Sequence, residues 1–232
     1  MEPLTPPTEP MRQVRSFVRR QGRLTQGQAR ALTELLPRHQ LPQAGQLDLD
    51  AAFGRRAPRV LEIGYGNGKA LLCQALAYPG FDFIGVEVYQ PGIGHLLQAL
   101  ARHEITNVRV SCIDAVTFLG QQLASASLSR INIYFPDPWP KKRHHKRRLI
   151  NTAFARLAVS RLQVGGLLHI ATDWADYAEQ IRQVLLALPG LENLGAQDGY
   201  APRPPERPLT KFERRGQILG HGVWDLLFRR SA

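Results

Sequence analysis

A chain of 232 residues, 44% hydrophobic and 21% charged, is long enough to bury one substantial core and too apolar to be a disordered tail. Its 30 Lys and Arg against 19 Asp and Glu leave a net charge of +11, which points to a polyanionic partner, nucleic acid ahead of an acidic membrane surface. No stretch reaches the roughly 18 apolar residues of a membrane span, and the N-terminus lacks the apolar core of a secretory signal. Cys73 and Cys112 lie in apolar segments without CxxC or Cys/His ligand spacing, so buried free thiols in a cytoplasmic protein are expected, with no disulfide, no metal and no membrane.

Residues 1–11 hold four prolines and two acids and read as disordered. Arg12, Arg15, Arg19, Arg20, Arg23 and Arg30 follow with no acid before Glu34, the composition of an arm that touches phosphates. Within it Thr25 is a plausible N-cap for a helix to Leu36, with Ala29, Leu32, Leu35 and Leu36 on one face. The chain therefore divides into a basic, partly disordered arm at 1–36 and a main domain at 37–232, joined through a loose linker from Pro37 to Pro58.

From there a regular α/β rhythm is predicted. Strands cover 60–63, 83–88, 108–113, 131–135 and 167–171, alternating with helices at 69–76, 93–102, 116–123, 149–162 and 174–188. Gly165-Gly166 reads as a turn, residues 200–213 as irregular, and 223–228 as a last strand. Such alternation implies a parallel sheet with right-handed crossovers, and ligands bind such sheets at the carboxyl ends of the strands.

Acids stand at those ends. The first strand ends Glu62-Ile63-Gly64-Tyr65-Gly66-Asn67-Gly68, a glycine turn that lets backbone pass close to a ligand. A dinucleotide fingerprint is GxGxxG; here position 69 is Lys, which argues against a nicotinamide cofactor. Glu87 ends the second strand, where a carboxylate can hold ribose hydroxyls, and Asp114 ends the third, where it could take an adenine amine; either could instead cap a helix. Asp137 follows the fourth strand inside Pro136-Asp137-Pro138-Trp139-Pro140, with Trp139 as a stacking face for a flat base, and Asp173 follows the fifth. Lys141 to Arg148 is an unbroken run of Lys, Arg and His that suits a phosphate backbone. His144 and His145 are adjacent, a poor spacing for two ligands on one helix face, so no metal is expected there.

RSFVRRQGRLTQGQ, EIGYGNGKAL, FIGVEVYQPGIG, FPDPWPKKRHHKRRL, GGLLHIATDWADYAE, RPLTKFERRG and GHGVWDLLF together resemble the bacterial tRNA (guanine-N7-)-methyltransferases, from about Arg12 to Arg230. FPDPWPKKRHHKRR and TKFE are the specific pieces. The resemblance implies a Rossmann-like class I methyltransferase fold, a mostly parallel seven-stranded sheet with helices on both faces. It implies S-adenosylmethionine as cofactor and the guanine at position 46 of the tRNA variable loop as target. Glu62, Gly64, Gly66, Gly68, Glu87, Asp114 and Asp137 would then bind the cofactor. Positive charge moves onto the purine during transfer, so a carboxylate such as Asp137 or Asp173 can also stabilise the guanine cation, and Asp137 is the catalytic candidate. Lys141, Asp173, Thr210, Lys211, Phe212 and Glu213 would bind the guanosine, and Arg143, His144, His145, Lys146, Arg147 and Arg148 would touch RNA. Asn67 and Tyr89 depart from the Met and His common in the family, at positions without a chemical group in the reaction.

Two other readings compete on the residues alone. Asp137-Pro138-Trp139 is similar to the DPPY motifs of enzymes that methylate exocyclic amines, and an RNA-binding protein could keep the fold without activity. Whether the protein is a monomer or homodimer is open.

Overall fold

The computed structural model describes residues 22–209, 213 and 222–231. Thr25 starts helix α1 (Gln26–Glu34) with a capping box to Gln28, as its position before the apolar stripe predicts. The linker is less loose than its composition suggests: it holds short helices α2 (Leu36–His39) and α3 (Leu49–Phe53) and buries Leu41 and Leu49.

Among the described residues seven strands follow: β1 (Arg59–Ile63), β2 (Asp82–Val86), β3 (Val108–Ser111), β4 (Leu128–Tyr134), β5 (Leu162–Thr172), β6 (Leu191–Asn193) and β7 (Trp224–Arg230). Their order is β3-β2-β1-β4-β5-β7-β6, with β1 to β5 parallel and β7 antiparallel to both β5 and β6. β1 and β2 are buried along nearly their whole length, because helices cover both faces. Helices α4 (Lys69–Ala77) and α5 (Gln90–Arg102) pack on one face with α1; α7 (Thr152–Arg161) and α8 (Ala175–Leu186) pack on the other. Gln40 bridges to Val110, and Leu41 N–H donates to the Val110 carbonyl at 2.9 Å, so the linker covers the β3 edge.

Several boundaries differ from the expectation. Residues 115–122 are one short turn, α6 (Ala115–Thr117), followed by a π-helical turn over Phe118–Gln122 that buries Phe118, Leu119 and Gln122. The helix expected from 149 begins at Thr152, because the Asn151 side chain caps the Phe154 N–H at 3.0 Å. Gly165 (φ +81°) and Gly166 lie within β5 as a bulge, where the register passes from Leu128↔Leu162 to Arg130↔Leu167. β6 has only three residues, too few for an alternating pattern to show.

Candidate active site

The strand order reverses between β1 and β4, and a cavity of about 370 Å³ opens there at the carboxyl ends of the strands. Its walls include Gly64, Glu87, Asp114 and Asp137, contributed from four successive parallel strands, with Tyr89, Phe135 and Leu149. Glu62, Gly66, Gly68, Lys141 and Asp173 are not among its lining residues.

Gly64, Gly66 and Gly68 all have positive φ (71°, 57° and 76°), and a side chain on Gly64 or Gly66 would meet open space. The turn is therefore bare backbone facing room for a ligand. Glu87 secures it: Oε2 accepts from Gly66 N–H at 2.9 Å, while Oε1 accepts from Val88 N–H (2.7 Å) and Tyr89 N–H (3.0 Å). From behind, α5 closes in so tightly that a Cβ on Gly92 would lie 2.1 Å from the Gly66 carbonyl oxygen. Asp114 does cap α6: its Oδ1 accepts from Val116 and Thr117 N–H, and its other oxygen makes no hydrogen bond among the described residues. The helix-cap role and the pocket role thus coexist on one carboxylate.

Glu62 lies beneath the turn, 3% exposed, with Oε2 buried and without a hydrogen-bond partner among the described residues. Burial, reinforced by the charge of Glu87, pushes its pKa up to about 8. It belongs to a row of buried polar groups running across β1, β4, β5 and β7: Glu62, Asn132, His169 and Asp225. Asn132 donates to Gln74, which donates to the Tyr134 hydroxyl at 3.3 Å. His169 Nδ1 faces an Arg130 N–H at 3.0 Å; arginine only donates, so Nδ1 accepts and Nε2–H donates to Asp225 at 2.7 Å. Burial holds the His169 pKa below its ordinary value against the pull of Asp225, in keeping with a neutral ring.

The loop after β4 is held in an unusual backbone. Phe135 (φ 53°) and Trp139 (φ 46°) are both left-handed without being glycine, a conformation that costs about 1–2 kcal/mol at each. Arg148 braces this loop, donating to the Pro138 carbonyl (2.8 Å), Gln180 Oε1 (2.5 Å) and Asp176 Oδ2 (2.6 Å) while lying over the Tyr177 ring. Only 2% exposed, Arg148 is not placed to touch RNA, which corrects the expectation for that residue. Trp139 also differs from expectation: Arg147 covers one face at 4.9 Å and His144 meets it edge-on, so its ring is not an open stacking platform.

The rest of the basic run forms a 3-10 helix, Lys142–Arg147. Lys141, Lys142, Arg143 and Lys146 are exposed; His144, His145 and Arg147 are half-buried. Desolvation and the surrounding Arg143, Arg147, Lys141 and Lys146 hold the His144 pKa below its usual value. Asp173 is exposed just past the end of β5. Glu213 is buried, and both its oxygens accept from Arg207. Thr210, Lys211 and Phe212, like Arg12, Arg15, Arg19 and Arg20, lie outside the described residues.

Sequence reasoning missed Arg207, Asp225, His169 and Gln74. The visible signal was a charged or ionisable residue inside an apolar strand, His169 in LLHIA and Asp225 in VWDLLF.

A seven-stranded sheet of this order, with a glycine turn and carboxylates at successive strand ends, defines a class I methyltransferase fold. Among solved structures the chain resembles the 16S rRNA methyltransferase KamB (TM-score 0.55, 14% identity, 83% of this chain and 100% of that one), a likeness of fold alone. Residues 56–226 match the family described as "Putative methyltransferase". The tRNA (guanine-N(7)-)-methyltransferase of Thiobacillus denitrificans is 59% identical over 94% of this chain and 95% of its own length. That of Xanthomonas campestris pv. campestris is 56% identical over 97% and 86%. The chain belongs to the tRNA (guanine-N7-)-methyltransferase family.

Proposed function

We propose that this chain transfers the methyl group of S-adenosylmethionine to N7 of a guanine in tRNA, the guanine at position 46 of the variable loop. The observation that carries this reading is the pocket at the β1/β4 reversal, where Gly64, Glu87, Asp114 and Asp137 meet, with the exposed basic 3-10 helix following in the chain. The cofactor fits the residues present. Gly64 and Gly66 leave open backbone, and Glu62 keeps a buried oxygen free to accept from a cationic ligand amine. Glu87 and Asp114 are the carboxylates for a ribose and an adenine amine.

When bound, S-adenosylmethionine supplies the electrophilic methyl group. Guanine N7 has an in-plane lone pair and no proton, so its attack needs no general base, and none is required of this site. The chain's task is alignment, worth several kcal/mol when nucleophile and methyl are held in line. Asp137, at the pocket wall, is assigned to the cationic purine that forms during transfer. Lys141, Asp173 and Thr210 to Glu213 are assigned to the guanosine. Lys142, Arg143 and Lys146, with the N-terminal arginines, hold the tRNA backbone while the base is drawn from its stack. The enzyme works in the cytoplasm, without metal.

Methyl transfer to unmodified tRNA, followed by nucleoside mass spectrometry and borohydride/aniline cleavage, tests this reading. Cationic N7-methylguanosine, cleaved at the variable loop, is expected. A neutral N2- or N6-methylated base would overturn the reading and favour the exocyclic-amine alternative.

A further inference from the structure

Arg207 is the largest fully buried side chain among the described residues, 0% exposed, and it touches three elements at once. Its Nε–H donates to Asp225 Oδ1 at 2.7 Å and one terminal nitrogen to Asp225 Oδ2 at 2.8 Å, which ties it to β7. The terminal nitrogens also donate to Glu213 Oε1 (2.7 Å) and Oε2 (2.6 Å). The guanidinium carbon lies 5.6 Å from the Phe135 ring centre, over the left-handed residue that opens the loop carrying Asp137. Its own backbone is pinned as well: Arg203 donates to the Arg207 carbonyl at 2.9 Å, and Gln74 of α4 donates to the adjacent Glu206 carbonyl at 3.1 Å.

Two carboxylates and one guanidinium are sealed from water here, and Arg130 reaches the same network through His169. Burying such a cluster is a poor way to add stability, since apolar residues of the same volume often do as well or better. What a planar fork offers that apolar packing does not is fixed geometry, with two carboxylates held in defined directions. We propose that Arg207 is a positioning residue for methyl transfer: clamped to the sheet by Asp225, it sets the place of Glu213 and of the Phe135 strand end, and so orients the guanosine side of the site. This deepens the functional assignment above and rests on it.

The test uses the full-length enzyme with unmodified tRNA. Arg207→Lys keeps the charge but cannot reproduce two bidentate pairs. The expected result is a fall of 30-fold or more in kcat/KM for tRNA, with the dissociation constant for S-adenosylhomocysteine within twofold of wild type. Glu213→Gln alone and Arg207→Lys/Glu213→Gln together are expected to lose about as much as Arg207→Lys, because all three break the same link. Additive losses would overturn the proposal, as would cofactor binding and activity falling in parallel, the mark of a merely structural role. Should Arg207→Lys not fold, Asp225→Asn loosens the clamp from the β7 side. It is expected to lower kcat/KM for tRNA about tenfold with cofactor binding unchanged, and wild-type turnover in that folded variant would overturn the proposal. A wild-type enzyme that makes no N7-methylguanosine would refute the functional assignment itself, an outcome separate from any effect of Arg207.

Discussion

Glu62 offers a quantitative test of the electrostatics beneath the glycine turn. Its pKa stands at about 8 against an ordinary 4.5, because burial and the nearby Glu87 both disfavour the ionised form. The folded state therefore holds a proton that the unfolded chain releases, and stability from this group is complete below about pH 4.5. It declines as pH rises through the interval up to about 8 and is flat beyond. The full displacement corresponds to a ceiling of about 5 kcal/mol; with local relaxation and the high effective dielectric of real sites, a realised loss of ~2–3 kcal/mol is expected. Glu62→Gln is a neutral isostere and should remove this dependence. In urea denaturation of the cofactor-free protein from pH 5 to 9, the variant should match wild type near pH 5 and exceed it by ~2–3 kcal/mol near pH 9. Parallel curves at all pH values would refute a protonated Glu62 beneath the glycine turn.

Other outcomes follow from the same geometry. Asp137→Ala should lower kcat about 100-fold even at saturating S-adenosylmethionine, within the range for loss of a transition-state charge partner; unchanged turnover at saturation would make Asp137 a binding group only. Replacing Lys142, Arg143 and Lys146 by Gln should leave the melting temperature unchanged while flattening the salt dependence of tRNA affinity, by roughly 0.7–0.9 in slope per phosphate contact removed. Arg148→Met should do the reverse, costing about 2–3 kcal/mol in denaturant titration with no change in salt slope, since its partners are Pro138, Gln180 and Asp176. Gly92→Ala would drive a methyl into the Gly66 carbonyl and should weaken S-adenosylhomocysteine binding at least tenfold by calorimetry.

Much of this was legible in the sequence because parallel strands buried on both faces read as short apolar runs, and their ends are marked by the acids that follow. Glu87, Asp114 and Asp137 converge on one pocket for that reason. Arg148 was not legible: in a run of eight basic side chains nothing local distinguishes the one that turns inward, and only the position of Asp176 and Gln180 on α8 decides it. Trp139 was misread for a similar cause, its ring being covered by Arg147 and His144 from the 3-10 helix that follows. The link from Arg207 to Asp225 spans 18 positions, and hydrophobic periodicity carries no trace of such a pairing.

The place of β7 also sets an order of assembly. It lies between β5 and β6, so β6 has no strand to pair with until β7, made some thirty residues later, slides into the gap. During synthesis the strands bearing Gly64, Glu87, Asp114 and Asp137 can align first, from the N-terminal end of the sheet. Asp225, the anchor of Arg207, arrives only with that last strand. A nascent chain thus lines its pocket before it can fix Arg207, and the buried Arg207–Asp225–Glu213 cluster is among the last features it acquires.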